Sequence, residues 1–262
     1  MRQLFNVLGP LQLCIDGHDR VPRGPKIQKA CALLLLRANQ VVETGVLTEE
    51  LWAGEPLALA VSTLRTHIYH LRRALGPAAE RLETRPGGYL LRVESGEVDA
   101  QVFARLVACG ARELRGGDPA EAARLLGEAL ALWRGPALAG LACGPALAGE
   151  LIHLAEMRRR AQELRIEADL RLGHHRMLVA ELRTLVCADP LNEWAQARLI
   201  EALHGSGHRA AALAAFREAA QQLDEELGVA PSWELQRLHR VILAEGLGAP
   251  GDDRPDPSAG PR

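Results

Sequence analysis

The chain has 262 residues, which is long enough for two ordinary domains and a sizeable buried core. Aromatic residues make up only 3%, while Ala and Leu are frequent, and this balance favours helices that pack through small and aliphatic side chains. The formal net charge is −2, but residues up to 95 carry twelve Lys and Arg against nine Asp and Glu, so the rest of the chain carries −5. A basic first part and an acidic second part are typical of a DNA-binding module joined to another module.

Cysteine usage and hydropathy exclude several other classes. No CxxC pair occurs among the five scattered cysteines, which argues against a disulfide framework or a zinc site. The N-terminus has no apolar signal-peptide region, and the apolar run at 30–36 is far shorter than a membrane span. We therefore expect a soluble protein in the cytoplasm, associated with the nucleoid, that contacts no membrane and holds no metal or cofactor.

The first 95 residues predict a small sheet, three helices and a β-hairpin, in that order. Strands are expected at 5–8 and 11–15, and the Asp16-Gly17 turn leads into a third short strand. Helices are expected at 26–38, 46–52 and 60–75, with Glu49 and Glu50 in the first turn of the second helix. A strand at 82–85, a tight turn at 86–88 and a strand at 89–93 follow. This is the order of a winged helix, an α+β fold, and we assign it to residues 1–95.

Only helical patterns remain after residue 96. They predict helices at 99–115, 119–134, 146–172, 175–188, 193–205, 208–227 and 232–245. Gly173-His174 and Gly207-His208 lie 34 residues apart, each before a helix, and 34 is the tetratricopeptide period. We therefore expect an all-α, tetratricopeptide-like helical domain at 96–248. The Pro, Gly and Asp content of 249–262 predicts a disordered tail.

The helix predicted at 60–75 has one apolar face and one polar face. At 100° per residue, its apolar side chains fall within about 60° of one another; they are Leu64, Ile68, Leu71 and Leu75. The opposite face carries Ser62, Thr66, Tyr69, His70 and Arg73, flanked by Arg65 and Arg72 on one side and by Thr63 and His67 on the other. Such a face suits the major groove, where Arg bonds guanine edges, Thr meets a thymine methyl, and flanking arginines reach phosphates.

An ordinary solvated helix is the alternative interpretation of this segment. Solvated helices normally mix both signs of charge, yet no acidic residue occurs between Ala60 and Gly76. The hairpin that follows carries Arg85 near its tip, and a wing can place an arginine in the minor groove. Trp52 and Tyr89 could donate to phosphates or belong to the core. The pattern therefore favours DNA binding through the third helix and the wing.

Several segments, in the same order along the chain, resemble the SARP family of antibiotic pathway-specific regulators. In the first half they are 33–42, Glu49-Glu50-Leu51-Trp52, 64–76 and Pro86-Gly87-Gly88-Tyr89. In the second half they are Val98-Asp99-Ala100, 129–135, 165–170, 224–229 and 235–239. The resemblance implies an OmpR-type winged helix followed by a bacterial transcriptional activation domain.

The resemblance also implies a mechanism. Members bind direct repeats near the −35 element as side-by-side protomers and recruit the RNA polymerase holoenzyme through its sigma factor and core subunits. On this chain, Thr66, His70 and Arg73 are then expected to face bases. Phosphate contacts are expected from Arg65, His67, Arg72, Trp52 and Tyr89, with Tyr69 on the same face and Arg85 on the wing. The helical second half is expected to mediate homodimer and polymerase contacts.

Other functional classes have weaker support in the sequence. His174 and His175 are adjacent, so on a helix they point about 100° apart and form a poor metal or acid–base pair. An enzyme is therefore not predicted. A helical-repeat adaptor with a structural winged helix, and a repressor that blocks polymerase, remain alternatives. The favoured prediction is a sequence-specific transcriptional activator of a secondary-metabolite (antibiotic) biosynthetic gene cluster.

Overall fold

The structure, a computed structural model, describes residues 4–52 and 60–245. The chain divides into two compact units, Met1–Ala168 and Asp169–Arg262. The tail expected at 249–262 and the end signal expected for the second helix at Gly54-Glu55-Pro56 lie outside the described residues. The domain boundary expected near residue 95 remains a prediction about the two modules.

The first unit begins with a three-stranded antiparallel sheet. Its strands are β1 (Leu4–Asn6), β2 (Gln12–Ile15) and β3 (His18–Asp19). Ile15 pairs with His18, so the hairpin loop is the two-residue Asp16-Gly17 turn predicted from the sequence. Both turn residues have positive φ angles, 53° and 78°, as a type I′ hairpin turn requires.

The winged-helix order that follows is confirmed. Helices α1 (Pro25–Leu36), α2 (Thr44–Trp52) and α3 (Ala60–Leu75) precede a hairpin of β5 (Leu82–Arg85) and β6 (Gly88–Leu91). Strand β4 (Val42–Glu43) lies between α1 and α2 and pairs with β6, which gives the sheet order β4-β6-β5. In the wing, Arg85 pairs with Gly88, so Pro86 and Gly87 (φ 78°) form the turn. A proline followed by a glycine with positive φ suits a type II turn.

The structure corrects three details of this region. The sequence did not predict β4, because a two-residue strand has no periodicity and exists only through its pairing with β6. A 3-10 helix, Gly76–Arg81, occupies the segment where the third helix was expected simply to stop. Helix α2 starts at Thr44, where the backbone N–H donates to Gly87 O at 2.9 Å, so Glu50 lies in its last turn rather than its first.

Three helices follow the wing in the described part of the first unit. They are α4 (Asp99–Gly116), α5 (Pro119–Ala131) and α6 (Pro145–Arg171), whose last three residues lie beyond Ala168. The hydrophobic core is continuous from Phe5 in β1, through the apolar faces of α1–α3, to Ala168 in α6. Gly110 lets α4 and α5 approach closely, because a Cβ there would lie 2.6 Å from Leu126 Cγ. Within this unit, the winged helix and α4–α6 therefore share one core.

Two buried carboxylates connect the winged helix to the helices behind it. Glu50, with no exposed surface, accepts the N–H groups of Gly144 at 2.6 Å and Leu147 at 2.9 Å, at the start of α6. In the reverse direction, Asp99 at the start of α4 accepts the N–H groups of Val7 at 2.8 Å and Leu8 at 2.9 Å. Burial raises the pKa of the Asp99 carboxyl, although these hydrogen bonds oppose the shift.

The second unit consists of helical hairpins. Its helices are α7 (His175–Ala188), α8 (Glu193–Gly205), α9 (Arg209–Leu227) and α10 (Trp233–Glu245). Helices α7 and α9 start 34 residues apart, each after a glycine with positive φ, Gly173 at 78° and Gly207 at 81°. Helix α8 packs against α7, α9 and α10. The repeat-like stack predicted from the sequence is therefore present.

No helix in the described part of the chain is long and apolar enough to cross a membrane. Residues 4–52 and 60–245 contain no group of three or more His, Cys, Asp or Glu residues placed to hold a metal ion.

Candidate nucleic-acid interface

Helix α3 has the two faces that the sequence predicts. Its apolar residues are at most 1% exposed; they are Leu64, Ile68, Leu71 and Leu75. On the other face, Arg65, Thr66, His70 and Arg73 are exposed, and Tyr69 is 56% exposed. Burying one face against α1 and α2 fixes the helix and leaves the opposite face open along its length.

Two arginines on this face are available to bind a ligand. Arg65 and Arg73 form no hydrogen bond or ion pair with any residue that the structure describes, and both are exposed. They stand eight residues apart, so the helical rise separates them by about 12 Å along the axis. An unpaired guanidinium keeps all five of its donors for phosphate or for a guanine edge.

Arg72 is differently placed from these two. Its guanidinium donates to Leu82 O through Nε at 3.0 Å and Nη2 at 2.8 Å, and Nη2 also donates to Thr84 Oγ1 at 2.9 Å. Both partners belong to β5, the first strand of the wing. Arg72 therefore joins the last turn of α3 to the wing. The phosphate contact expected of it from the sequence would compete with these three bonds.

The wing carries its own charge network. Glu83 on β5 binds Arg85 and Arg92, the latter with Nη2 to Oε1 at 2.8 Å. The hydrogen bond from Arg92 contributes most to lowering the pKa of the Glu83 carboxyl, and Arg85 lowers it further. At the tip, Thr44 Oγ1 donates to Gly87 O at 3.0 Å, which ties the wing turn to the start of α2. Arg85 is thus near the tip, as predicted, but already has an acidic partner.

Trp52 and Tyr89 belong to the hydrophobic core, the second of the two alternatives that the sequence left open. Their exposed fractions are 7% and 8%. Trp52 packs beneath α3, with its ring 5.9 Å from that of His67, and Lys26 Nζ lies 4.9 Å from the Trp52 ring. Tyr89 pairs with Val42 and Thr84 in the second sheet. Any contact with a phosphate is limited to the edges of these side chains.

His67 lies in a cationic environment next to the exposed face. Partial burial lowers the pKa of its imidazole, and the charges of Lys26 and His70 lower it further. The imidazole is therefore neutral at physiological pH and can donate or accept only one hydrogen bond at each nitrogen. Lys26 was not predicted as part of this site. Its neighbours Trp52 and His67 lie on other helices, so no local pattern indicates the contact. The excess of positive charge near the start of α1 is the one sequence feature that indicates a role for Lys26.

The family models match both halves of the chain. Residues 98–243 match the bacterial transcriptional activator domain, and residues 18–91 match the C-terminal domain of transcriptional regulatory proteins. The regulatory protein DnrI of Streptomyces peucetius is 39% identical over 97% of this chain and 95% of its own length. The chain belongs to the SARP family. This is a family of DNA-binding transcription regulators, not of enzymes.

Other SARP-type relatives are longer. The regulatory protein AfsR of Streptomyces griseus is 35% identical over 95% of this chain, which spans only 26% of AfsR. A solved structure of Mycobacterium tuberculosis EmbR, in complex with a low-affinity phosphopeptide, matches with a TM-score of 0.85 and 31% identity. The match covers 93% of this chain and 65% of that one. An α/β winged-helix region followed by an all-helical activator domain is therefore the architecture shared with EmbR.

Proposed function

We propose that this SARP-family chain activates transcription of a secondary-metabolite (antibiotic) biosynthetic gene cluster. The observation that carries the proposal is the polar face of α3, where Arg65 and Arg73 have no partner among the described residues, on a chain whose helical half matches an activator domain. The identity to DnrI over nearly the whole chain supports an antibiotic pathway as the target. The protein then works in the cytoplasm, associated with the nucleoid.

The polar face of α3 reads the promoter in the major groove. Thr66, His70 and Arg73 face base edges, because they lie opposite the buried stripe at Leu64 and Ile68. Arg65 lies to one side and contacts phosphate. Tyr69, exposed beside His70 with the two rings 5.5 Å apart, packs against the backbone of the groove. His67 adds a neutral hydrogen bond rather than a charge, as its lowered pKa requires.

The wing makes a smaller contribution to affinity. To contact the DNA backbone or the minor groove, Arg85 must first break its ion pair with Glu83. Part of the energy gained from the DNA contact is therefore offset by the loss of that ion pair. Arg72 acts by holding β5 against α3 rather than through a phosphate. Trp52 and Tyr89 support the same surfaces from within the core.

Activation requires a second contact beyond DNA. Two protomers bind direct repeats side by side as a homodimer on DNA, and the helical half recruits the RNA polymerase holoenzyme through its sigma factor and core subunits. No cofactor, metal or membrane is needed for this mechanism. The match of 98–243 to an activator domain favours activation over repression by blocking polymerase.

Footprinting on the DNA that flanks the gene tests the reading face. We expect protection of two repeats spaced by a whole number of helical turns. Arg73→Ala should weaken binding by about 1–3 kcal/mol and relax specificity at one base position. Arg115→Ala is the matched control, since Arg115 on α4 is also exposed and also has no partner among the described residues. Equal losses in both variants would contradict the assignment of α3.

In vitro transcription tests the direction of regulation. With purified holoenzyme and the footprinted promoter, added protein should raise transcript yield, and Arg73→Ala should need a higher protein concentration for the same increase. Protection of the repeats together with a fall in transcript would show a repressor that uses the same reading face.

A further inference from the structure

A groove runs between α7 and α9 in the second unit. It consists of two adjoining cavities, of about 490 and 250 Å³, which share Arg183, Leu203 and Ala211. Ligand pockets in proteins usually measure about 300–1,000 Å³, so the joined space is large enough for several side chains. None of its residues belongs to the DNA-reading face.

The groove follows from the helical repeat. On α7, the lining residues Arg176, Val179, Arg183 and Val186 recur every three or four positions and so share one face. Helix α9 contributes a face of small residues that includes Ala211 and Ala214, and α8 supplies Leu199 and Leu203 between them. Stacked helical repeats form concave surfaces of this kind, which other repeat proteins use to bind partners.

The small residues on α9 keep the groove open and apolar. Leu199 and Leu203 are buried at 6% and 4% exposure, whereas Ala211 and Ala214 are only half-buried. Larger side chains at these two positions of α9 would fill the space above the leucines. An occupant that brings its own apolar side chains can therefore bury them against this floor at about 25 cal/mol per Å² of apolar surface.

Positively charged side chains lie along this apolar floor. Arg176 and Arg183 are both exposed, and neither forms an ion pair or hydrogen bond with the described residues. His208 lines the cavity beside them. Other arginines of this unit do have partners: Arg198 pairs with Glu201 and Glu234, and Arg209 donates to Ile242 O at 2.9 Å. The cations of the groove are thus left available to an anionic occupant.

The spacing of the charges defines the occupant further. Arg176 and Arg183 are seven residues apart, two helical turns, so their guanidinium groups originate about 10 Å apart along α7. At the α9 side of the groove, Glu218 is exposed and also has no partner in the described part of the chain. The groove therefore presents two positive groups, an apolar floor and one negative group.

We propose that this groove binds an amphipathic acidic segment of a partner protein, with apolar side chains on the floor and two carboxylates on Arg176 and Arg183. A carboxylate pair at this spacing corresponds to residues seven apart on a helix, where both side chains lie on the same face. Arginine is well suited to the contact, because its guanidinium binds a carboxylate through two parallel hydrogen bonds. This proposal holds whether the protein activates or represses transcription in the promoter assay.

Nucleic acid fits the groove less well than a peptide does. A phosphate backbone has no aliphatic side chains of its own to bury against the floor, so it would gain nothing from the apolar part of the groove. Glu218 would also repel phosphates, whereas a peptide can place a basic residue next to it. The observations thus favour a protein segment over DNA or RNA.

The test uses the full chain and a random 12-residue peptide library displayed on phage. We expect enriched sequences to combine Asp or Glu with Leu, Ile, Val or Met. The leading peptide, synthesised with a fluorescein label, is then titrated by fluorescence anisotropy. The double variant Arg176→Glu, Arg183→Glu should bind it at least tenfold more weakly. The control double variant Arg237→Glu, Arg240→Glu makes the same change of charge at two exposed arginines of α10 and should bind it normally.

A second variant tests the apolar floor separately from the charges. Ala214→Phe fills the groove without changing its charge and should also abolish peptide binding. Circular dichroism and affinity for promoter DNA should match the unmodified protein for all of these variants. Failure to enrich any acidic–apolar sequence, or equal peptide affinity in the α7 double variant, would overturn the proposal. A parallel loss of promoter affinity in that variant would also overturn it, and would indicate nucleic acid as the occupant.

Discussion

Substitution of Arg72 tests whether this residue binds DNA or holds the wing against α3. The sequence places it among the phosphate contacts, whereas in the structure it donates to Leu82 O at 3.0 and 2.8 Å and to Thr84 Oγ1 at 2.9 Å. The substitution Arg72→Met keeps the aliphatic stem of the side chain and removes all three bonds.

The size of the effect follows from these contacts. Hydrogen bonds that involve a charged group each contribute about 1.5–3 kcal/mol when buried. The Arg72 side chain is only half-buried and Thr84 is exposed, so solvent screening reduces the total. We therefore expect Arg72→Met to lower the free energy of unfolding by about 1–3 kcal/mol. Arg65→Met, which breaks no contact with the described residues, should change it by less than about 0.5 kcal/mol.

Two measurements check this prediction. Urea denaturation gives the free energy of unfolding of each variant, and promoter affinity between 50 and 200 mM salt gives the number of phosphates contacted. Each lost phosphate contact reduces the slope of log K against log salt by about 0.9. We expect this reduction for Arg65→Met and an unchanged slope for Arg72→Met. If Arg72→Met keeps full stability and reduces the slope, Arg72 is a phosphate ligand and its contact with β5 is incidental.

Three further substitutions test other parts of the structure. Glu50→Ala removes two buried hydrogen bonds at the start of α6 and should lower the free energy of unfolding by about 3–5 kcal/mol. The control Glu49→Ala, at the exposed neighbouring residue, should change it little, and similar urea midpoints for the two variants would contradict the role of Glu50 at the start of α6. The pKa of His67 is lower in the folded protein than in the unfolded chain, so the unfolded chain binds a proton first as the pH falls below 6.5. The stability that the neutral imidazole contributes is therefore lost as the pH falls through the folded pKa. His67→Gln should therefore flatten the loss of stability between pH 7 and 5 in thermal unfolding, and an unchanged pH dependence would refute this. A Cβ at Gly88 would overlap the carbonyl oxygen of Val42, so Gly88→Ala should separate β4 from β6, destabilise the protein by about 1–3 kcal/mol and weaken promoter binding. Full stability and full affinity together would show that the strands can adjust.

Sequence periodicity was sufficient to predict the elements that depend on local pattern. The buried stripe at Leu64, Ile68, Leu71 and Leu75 follows from a 3.6-residue repeat, and the structure buries all four. The Asp16-Gly17 turn follows from two residues that tolerate positive φ, and the wing turn follows from a proline, whose φ is fixed, before a glycine with positive φ. The 34-residue spacing of the glycines before α7 and α9 likewise predicted the repeat of the second unit.

Contacts between segments far apart in the sequence could not be predicted in this way. Glu50 appears in the sequence as an ordinary acidic residue of a helix, yet its partners lie 94 and 97 residues further along the chain. The pairing of β4 with β6 and the bond from Arg72 to Leu82 likewise depend on packing that leaves no periodic signal. The candidate site was thus predicted as a face of α3. Only the structure shows that Arg72 binds β5, whereas Arg65 and Arg73 have no partner among the described residues.

The reciprocal capping by Glu50 and Asp99 bears on where the DNA-binding module ends. The sequence assigns that module to residues 1–95, but Asp99 supplies both oxygens to Val7 and Leu8, and Phe5 N donates to Glu97 O at 2.7 Å. Phe5, Val7 and Leu8 are completely buried and belong to the core that continues into α4–α6. A fragment of residues 1–95 loses these partners and exposes that part of the core, so it should unfold at lower urea concentration than a fragment of residues 1–168.

Circular dichroism and the binding of a dye to exposed apolar surface distinguish the two fragments. The shorter fragment should bind the dye and unfold with a smaller denaturant slope, because it buries less surface on folding. Equal midpoints and no dye binding would instead show that the winged helix is independently stable and that the shared core is dispensable. If the shorter fragment is the less stable one, the orientation of α3 on DNA also fixes the position of α4–α6, since both belong to one cooperative core. The position of α3 on its DNA repeat would then determine which part of the promoter complex α4–α6 can contact.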